Sequence, residues 1–97
     1  MGEFGRTPVI NPAHGRDHHP AAWSAVLTGG GTRAGLAYGS TDPDGAKVAS
    51  NPVTVPDLFA TIATLIGMDP KREEMSPIGR PIAVSDGGKP IRALIKI

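Results

Sequence analysis

Residues 56–66 constrain the fold more than any other part of the chain, because they carry several local signals of an α-helix. Pro56 suits the first helical position, Asp57 favours the positive end of the helix dipole, and Gly67 is a natural C-terminal stop. Five large apolar side chains recur at helical spacing and predict one buried face. They are Leu58, Phe59, Ile62, Leu65 and Ile66.

The rest of this predicted helix is unusual for a surface element. No charged residue occurs from Leu58 through Met68, and the opposite side carries only alanine and threonine. A helix with so little polar covering usually lies between the layers of a larger protein. We therefore predict a helix packed on a sheet, in a fragment of a longer protein that leaves some apolar helix surface uncovered.

Most of the remaining elements are predicted to be strands separated by turns. Residues 21–28 are uncharged and are interpreted as a strand buried on both faces, with a short buried helix as the competing interpretation. Residues 78–84 are predicted to form an edge strand, because they contain Pro81. A turn at 85–89 follows, and residues 90–97 return as a second strand or a short helix. Together with the helix, these elements predict an α/β fold in a single partial domain that covers the whole chain.

Two further segments are rich in turn residues. Residues 36–39 are predicted to form one short strand, and the three glycines at 29–31 form either a plain turn or an anion-binding nest. Asp42 and Gly45 lie in a strong turn sequence in which Asp42 can cap backbone N–H groups, so an exposed hairpin is predicted there. A calcium loop is the disfavoured alternative, because no glutamate follows at the required distance.

Composition limits the functions that the chain can have. A chain of 97 residues has room for one domain at most, and it contains no cysteine, which excludes disulfides and thiolate metal sites. Its net charge of +1 is spread evenly and offers no electrostatic footprint for nucleic acid. No apolar run approaches the roughly 20 residues that span a bilayer. We therefore expect neither a nucleic-acid partner nor a membrane span.

Candidate metal ligands are concentrated near the N-terminus. The three histidines of the chain all fall between positions 14 and 19, in a glycine- and proline-rich stretch that is predicted to be a loop. Asp17 and His18 are neighbours, and Glu3 lies upstream. Carboxylate and imidazole groups suit Zn, Mn, Fe or Mg. Glu3, Asp17 and His18 are therefore the candidate metal ligands, with His14 and His19 as weaker candidates.

Arg6 and Arg16 lie in the same two short motifs and are candidates for binding a substrate anion. A guanidinium group can clamp a phosphate or a sulfate through two hydrogen bonds. The alternative is a structural loop in which Glu3 and Asp17 form ion pairs with the two arginines and the histidines are solvated. The spacing of the residues favours neither interpretation, and it identifies no catalytic nucleophile.

Five stretches, taken in order, resemble the C-terminal part of a sulfatase-like family of unknown function that is placed in the alkaline phosphatase superfamily. They are MGEFGRTP, GRDHHPAAW, LTGGGTRAGLAYGSTDPDG, NPVTVPDLFATIATLIGMD and GRPIAVSDGGKPI. The resemblance covers nearly the whole chain. Because members of that family are several-fold longer, it implies a fragment from the last third of an alkaline-phosphatase-like sandwich.

The resemblance also implies roles for individual residues. Superfamily members hold one or two metals with Asp and His side chains, so a divalent metal such as Zn, Mn, Mg or Ca is implied. Glu3 resembles the carboxylate of their Asp-His motif, with Phe4 in place of the histidine, and His18 resembles their late metal-binding histidine. The superfamily nucleophile lies upstream in such proteins, and no segment here matches it. An exported or periplasmic location is implied as well.

Two functions are therefore expected as alternatives. The first is part of a metal-dependent hydrolase of small anionic sulfate or phosphate esters, including sulfated glycans, in which arginines stabilise the developing negative charge. The second is a non-catalytic metal- or glycan-binding surface protein that keeps the fold, as Phe4 after Glu3 suggests. In both cases the chain by itself is expected not to turn over esters, because it has no match to the nucleophile.

Overall fold

The computed structural model describes residues 1–96, and Ile97 lies outside the described residues. Within that range the chain forms one α-helix, one 3₁₀ helix and six short strands. The strands pair into three antiparallel two-stranded sheets, which is consistent with the predicted α/β class. No helix in the described range is long and apolar enough to cross a membrane.

The strands are short, with two or three residues each. In chain order the elements are β1 (Gly5–Arg6), β2 (His18–His19), β3 (Ser40–Thr41), β4 (Val48–Ser50), α1 (Val55–Leu65), β5 (Glu73–Met75), β6 (Pro81–Ala83) and the 3₁₀ helix (Arg92–Leu94). β1 pairs with β2, β3 with β4, and β5 with β6. Isolated two-stranded ribbons are marginally stable, so none of these three sheets is expected to be stable by itself.

The chain divides into two compact units. The first unit comprises Met1–Leu27 and Tyr38–Pro52, and the second comprises Thr28–Ala37 and the chain from Val53 onward. Among the described residues, the buried side chains are few and small. They are Ala22 in the first unit and Ala60, Thr61, Ala63 and Ser85 in the second. Such small side chains bury little apolar area, so their burial alone stabilises neither unit strongly.

α1 begins and ends almost where the sequence predicts. It spans Val55–Leu65, and the Thr54 hydroxyl caps it by accepting a hydrogen bond of 3.2 Å from the backbone N–H of Asp57. Gly67 follows with a φ of 84°, the left-handed conformation that ends many helices. Its backbone N–H donates to the carbonyl of Thr64 over 3.1 Å. The predicted helix is confirmed, with both ends one residue closer to the N-terminus than predicted.

The side of α1 that is buried differs from the predicted one. Phe59 is 46% exposed and Ile66 is 70% exposed, whereas Leu58, Ile62 and Leu65 are half-buried. The buried residues of the helix are the small ones that the sequence placed on the opposite side. The prediction that the large apolar face is the buried one is therefore wrong. The uncovered apolar helix surface that the sequence also predicted is observed.

The small residues of α1 are buried because a C-terminal segment lies against them. The backbone N–H of Ile91 donates to the hydroxyl of Thr61 over 2.9 Å, and that hydroxyl donates to the carbonyl of Asp57 over 2.8 Å. At Gly88 an added Cβ would collide with the carbonyl of Pro56. Backbone can approach a helix this closely only where side chains are small. α1 thus packs on this segment rather than on a sheet.

The contact between Asp57 and this segment makes stability depend on pH. The backbone N–H of Lys89 donates to the Asp57 carboxylate over 3.0 Å, and this bond, with smaller contributions from Thr54, lowers the pKa of Asp57 from its ordinary 3.8. Because the pKa falls on folding, the ionised carboxylate stabilises the folded state fully above the unfolded-state pKa. That contribution disappears as the pH falls through the folded-state pKa.

We therefore expect Asp57→Asn to lower the free energy of unfolding at neutral pH, and to lower it less and less below about pH 4. Urea denaturation of both chains over a series of pH values, followed by helical circular dichroism, measures this difference. A destabilisation of the same size at neutral pH and well below pH 4 would contradict the assigned role of the carboxylate.

Residues 21–28 do not form the predicted buried strand. Val26 is 89% exposed and Leu27 is 37% exposed, while Ala22 is buried and Trp23 is half-buried. An extended segment becomes a strand only when a neighbouring strand pairs with its backbone groups. No segment within residues 1–96 pairs with this one. The uncharged composition was therefore a misleading indicator of burial.

The hairpin near the C-terminus forms with a different partner from the predicted one. β6 lies inside the predicted strand 78–84, but it pairs with β5, which precedes it, and not with residues 90–96. The turn between them is closed by the backbone N–H of Ser76, which donates to the carbonyl of Arg80 over 2.8 Å. Residues 90–96 contain the 3₁₀ helix, which agrees with the short-helix alternative for 90–97.

β3 and β4 form the exposed hairpin that the sequence predicts around Asp42. The Asp42 carboxylate accepts a hydrogen bond of 2.8 Å from the backbone N–H of Ala46, and the N–H of Gly45 donates to the Asp42 carbonyl over 3.1 Å. The predicted cap is therefore confirmed. The short strand predicted at 36–39 is wrong, since the nearest strand, β3, follows those residues.

Candidate functional site

The side chains expected to bind metal or anions lie on and beside one hairpin of the first unit. β1 and β2 pair antiparallel, with Arg6 opposite His18 and Gly5 opposite His19. We call residues 5–19 the N-terminal hairpin. Successive residues of a strand point to opposite faces, so this register places the two adjacent histidines on different faces of the hairpin.

The face that carries His19 is packed. His19 is half-buried, and its Nε2 lies 2.6 Å from the carbonyl oxygen of Ala46. A Cβ added to Gly5 would lie 2.5 Å from the carbonyl oxygen of Ala22 and 3.0 Å from the Cβ of Trp23. Glycine is therefore required at position 5 for the chain to pass this closely. In this structure His19 acts as a structural residue that ties the hairpin to the rest of its unit.

The other face is open to solvent. His18 and Arg6 are exposed there, and Phe4 beside them is half-buried. The Phe4 and His18 rings stack with their centroids 3.6 Å apart and an angle of 24° between their planes. The guanidinium carbon of Arg6 lies 5.3 Å from the Phe4 ring centroid, within the range of a cation–π contact. Within residues 1–96 the histidine ring that makes a hydrogen bond is that of His19, so either nitrogen of His18, depending on the tautomer, can bind a ligand.

The loop between β1 and β2 is fixed by the side chain of Asn11. Its Oδ1 accepts hydrogen bonds from the backbone N–H groups of Ala13 (2.9 Å) and Gly15 (3.0 Å), and its Nδ2 donates to Oδ1 of Asp17 (3.0 Å). The hydroxyl of Thr7 accepts the backbone N–H of Asp17 over 3.2 Å. Asp17 is thus held at its backbone and at one carboxylate oxygen, while Oδ2 makes no hydrogen bond within the described chain.

Both candidate anion-binding arginines brace this loop. One terminal nitrogen of Arg16 donates to the carbonyls of Thr7 (2.8 Å) and Pro8 (2.9 Å), and one of Arg6 donates to the carbonyl of Arg16 (3.0 Å). In residues 1–96 no ion pair joins either arginine to the candidate carboxylates, so the pairing of the structural alternative is not formed. Each guanidinium has five N–H donors and keeps several for other partners.

The structure brings some of the candidate residues together and not others. Arg6 and His18 lie across the strand pair from each other, and Asp17 directly precedes His18. Glu3 is exposed before β1, and His14 is exposed in the loop with a φ of 62°. In the part of the chain that the structure describes, no three His, Asp or Glu side chains are grouped closely enough to hold a metal ion.

Two residues of the site have roles that the sequence does not predict. Asn11 organises the loop, and its position directly before a proline is a turn signal that could have identified it. Phe4 stands where the resembled motif has a histidine, and the sequence predicts no contact for its ring. Its stacking on His18 depends on the register of β1 and β2, which no local pattern in the sequence reveals.

The family described as "Protein of unknown function (DUF1501)" matches residues 1–95 of the chain. The match includes the whole N-terminal hairpin and α1. The chain belongs to the DUF1501 family. Comparison with curated proteins and with solved structures found no match.

The donors of this DUF1501 hairpin fit a divalent metal in chemical type. An imidazole with two unoccupied nitrogens and a carboxylate with one unoccupied oxygen are borderline and hard ligands, which suit zinc, manganese or magnesium. Catalytic zinc sites use about three protein ligands. Asp17 and His18 would supply at most two of these, and no three such side chains are grouped among the described residues.

Proposed function

We propose that the N-terminal hairpin contributes the metal- and anion-binding part of a hydrolase of sulfate or phosphate esters, in an exported protein of the alkaline phosphatase superfamily. The observation that carries the proposal is the open face of the hairpin, where the accessible imidazole of His18 lies across the strand pair from Arg6. A metal ligand beside a guanidinium group suits the binding of an anionic ester.

Each candidate residue has a distinct role in this proposal. Glu3, Asp17 and His18 would hold a divalent ion, which is Zn, Mn, Mg or Ca. When bound, such an ion polarises the ester oxygen that it contacts. Arg6 and Arg16 bind the negatively charged oxygens of the ester through the N–H groups that the loop carbonyls leave unused. The nucleophile and any further metal ligand would come from outside these 97 residues.

The hydrogen bonds that hold the hairpin favour a binding site over a solvated loop. Asn11 holds one oxygen of the Asp17 carboxylate over 3.0 Å, and His19 ties the far face to Ala46 over 2.6 Å. Ligands that are held in place before binding lose less conformational entropy when the metal arrives. These contacts support the proposal, because they would hold Asp17 in place before a metal arrives.

Zinc binding is expected to depend on His18. His18→Ala removes the imidazole donor, so we expect at least about a tenfold loss of zinc affinity. Because the side chain is exposed apart from its stacking on Phe4, the melting temperature should fall only by the few degrees that the loss of one aromatic stack costs. A zinc titration of the chain followed by the NMR signals of its imidazole rings measures the affinity, and a thermal melt measures the stability.

The other two histidines are the matched controls. His14→Asn should leave zinc affinity unchanged, and asparagine tolerates the positive φ at that position. His19→Ala should instead lower the melting temperature, because it removes the bond to Ala46. Equal zinc affinity of the wild-type chain and His18→Ala would remove His18 from the site and refute the proposal.

Anion binding can be tested separately from the alternative of a non-catalytic binding protein. Phe4, which stacks on His18 and stands where the resembled motif has a histidine, favours that alternative. Inorganic phosphate or sulfate should bind more tightly in the presence of zinc, and Arg6→Ala should abolish that gain. Arg33→Ala, an exposed arginine of the second unit, is the control. Binding of a sulfated oligosaccharide that depends on neither zinc nor Arg6 would favour the alternative of a glycan-binding surface protein.

A further inference from the structure

We infer that Phe4 is a positioning residue whose ring sets the plane of the His18 imidazole, an inference that rests on the metal site proposed above. Phe4 directly precedes β1, so strand alternation places it on the same face as Arg6 and as the cross-strand residue His18. Diagonal neighbours across an antiparallel pair lie within reach of aromatic side chains. The two rings stack with their centroids 3.6 Å apart and an angle of 24° between their planes.

Stacking orients His18 without blocking it. A metal-binding histidine is usually oriented by a hydrogen bond from its second ring nitrogen to a carboxylate or a carbonyl. The His18 ring makes no such bond within residues 1–96, where the histidine hydrogen bond belongs to His19. The Phe4 ring covers a face of the imidazole, whereas both nitrogens lie at its edge. The contact therefore fixes the plane of the ring and leaves each nitrogen accessible.

The same aromatic ring also contacts the proposed anion-binding group. The guanidinium carbon of Arg6 lies 5.3 Å from the Phe4 centroid, and a terminal nitrogen of that guanidinium donates to the carbonyl of Arg16 over 3.0 Å. The position of the Arg6 guanidinium is thus restricted by two contacts, one with the Phe4 ring and one with the carbonyl of Arg16. A single half-buried ring holds the metal ligand and the cation on one open face.

Substitution of Phe4 separates orientation from hydrophobic packing. Phe4→Leu keeps an apolar side chain but removes the ring, and we expect zinc to bind about fivefold more weakly, the order of magnitude that a stacked aromatic pair contributes. The NMR shifts of the His18 ring protons should change as the ring current disappears. Phe4→Tyr should restore both the affinity and the shifts. Phe59→Leu, which alters an exposed aromatic residue of α1, should alter neither.

The outcomes distinguish this inference from the proposed function. If His18→Ala loses zinc binding while Phe4→Leu binds zinc as tightly as the wild-type chain, the inference is wrong and the metal site stands. If the wild-type chain and His18→Ala bind zinc equally, both are wrong. Should Phe4→Leu fail to fold, nuclear Overhauser contacts between the Phe4 and His18 rings of the zinc-loaded wild-type chain decide the question. Their presence supports the inference, and their absence overturns it.

Discussion

Gly88→Ala is expected to destabilise the second unit by about 3 kcal/mol, the upper part of the range for overpacking a close contact. A Cβ at this position would collide with the carbonyl group of Pro56 and lie 2.8 Å from the backbone nitrogen of Asp57. Both are backbone atoms at the first turn of α1, so no side chain can rotate away to relieve the clash. The segment would have to move off the helix and lose its hydrogen bonds to it.

Urea denaturation of the chain, followed by helical circular dichroism, measures this loss. Gly30→Ala is the matched control, since a Cβ there meets nothing within 4 Å and the φ of Gly30 is not positive. That control should leave stability unchanged or raise it by up to about 1 kcal/mol. If Gly88→Ala were as stable as Gly30→Ala, the C-terminal segment would not lie against α1 as described.

Thr61→Val should have the second largest effect. The buried hydroxyl of Thr61 accepts the backbone N–H of Ile91 over 2.9 Å and donates to the carbonyl of Asp57 over 2.8 Å. Valine preserves the shape of the side chain but leaves the N–H of Ile91 without a partner. We expect a loss of about 1–3 kcal/mol, the desolvation penalty of an unsatisfied polar group. For a chain of this size that corresponds to a melting temperature lower by about 4 °C or more.

Two related variants test the origin of the loss. Thr61→Ser keeps the hydroxyl and should recover much of the stability. Thr64→Val removes a hydroxyl that donates only to the carbonyl of Ala60 within the same helix, over 2.8 Å, and should have a smaller effect than Thr61→Val. Equal effects of Thr61→Val and Thr64→Val would show that the bond to Ile91 contributes nothing.

The candidate site was predictable in composition but not in arrangement. The sequence alone placed three histidines, two carboxylates and two arginines within twenty residues, but it could not assign the histidines to different environments. The register of β1 and β2 makes that assignment. It directs His19 to the packed face, where Ala46 holds its ring, and His18 to the open face beside Phe4. Register depends on which strands pair, and that is a non-local property.

Local signals determined the elements that the sequence predicted well. Thr54, Pro56 and Gly67 begin and end α1 through contacts within a few residues, and Asp42 closes its own turn. Each of these contacts joins residues that are close in sequence, so their residue types suffice to predict them.

Contacts between residues far apart in the chain decided the rest. Residues 21–28 have strand-like composition, yet no strand within residues 1–96 pairs with them. The side of α1 that carries small side chains is buried because the backbone at Gly88 and Ile91 lies against it. Ile91 lies 30 residues beyond Thr61 in the sequence. A helical pattern reveals which side chains are apolar, but the segment that docks on the helix decides which side loses its contact with water.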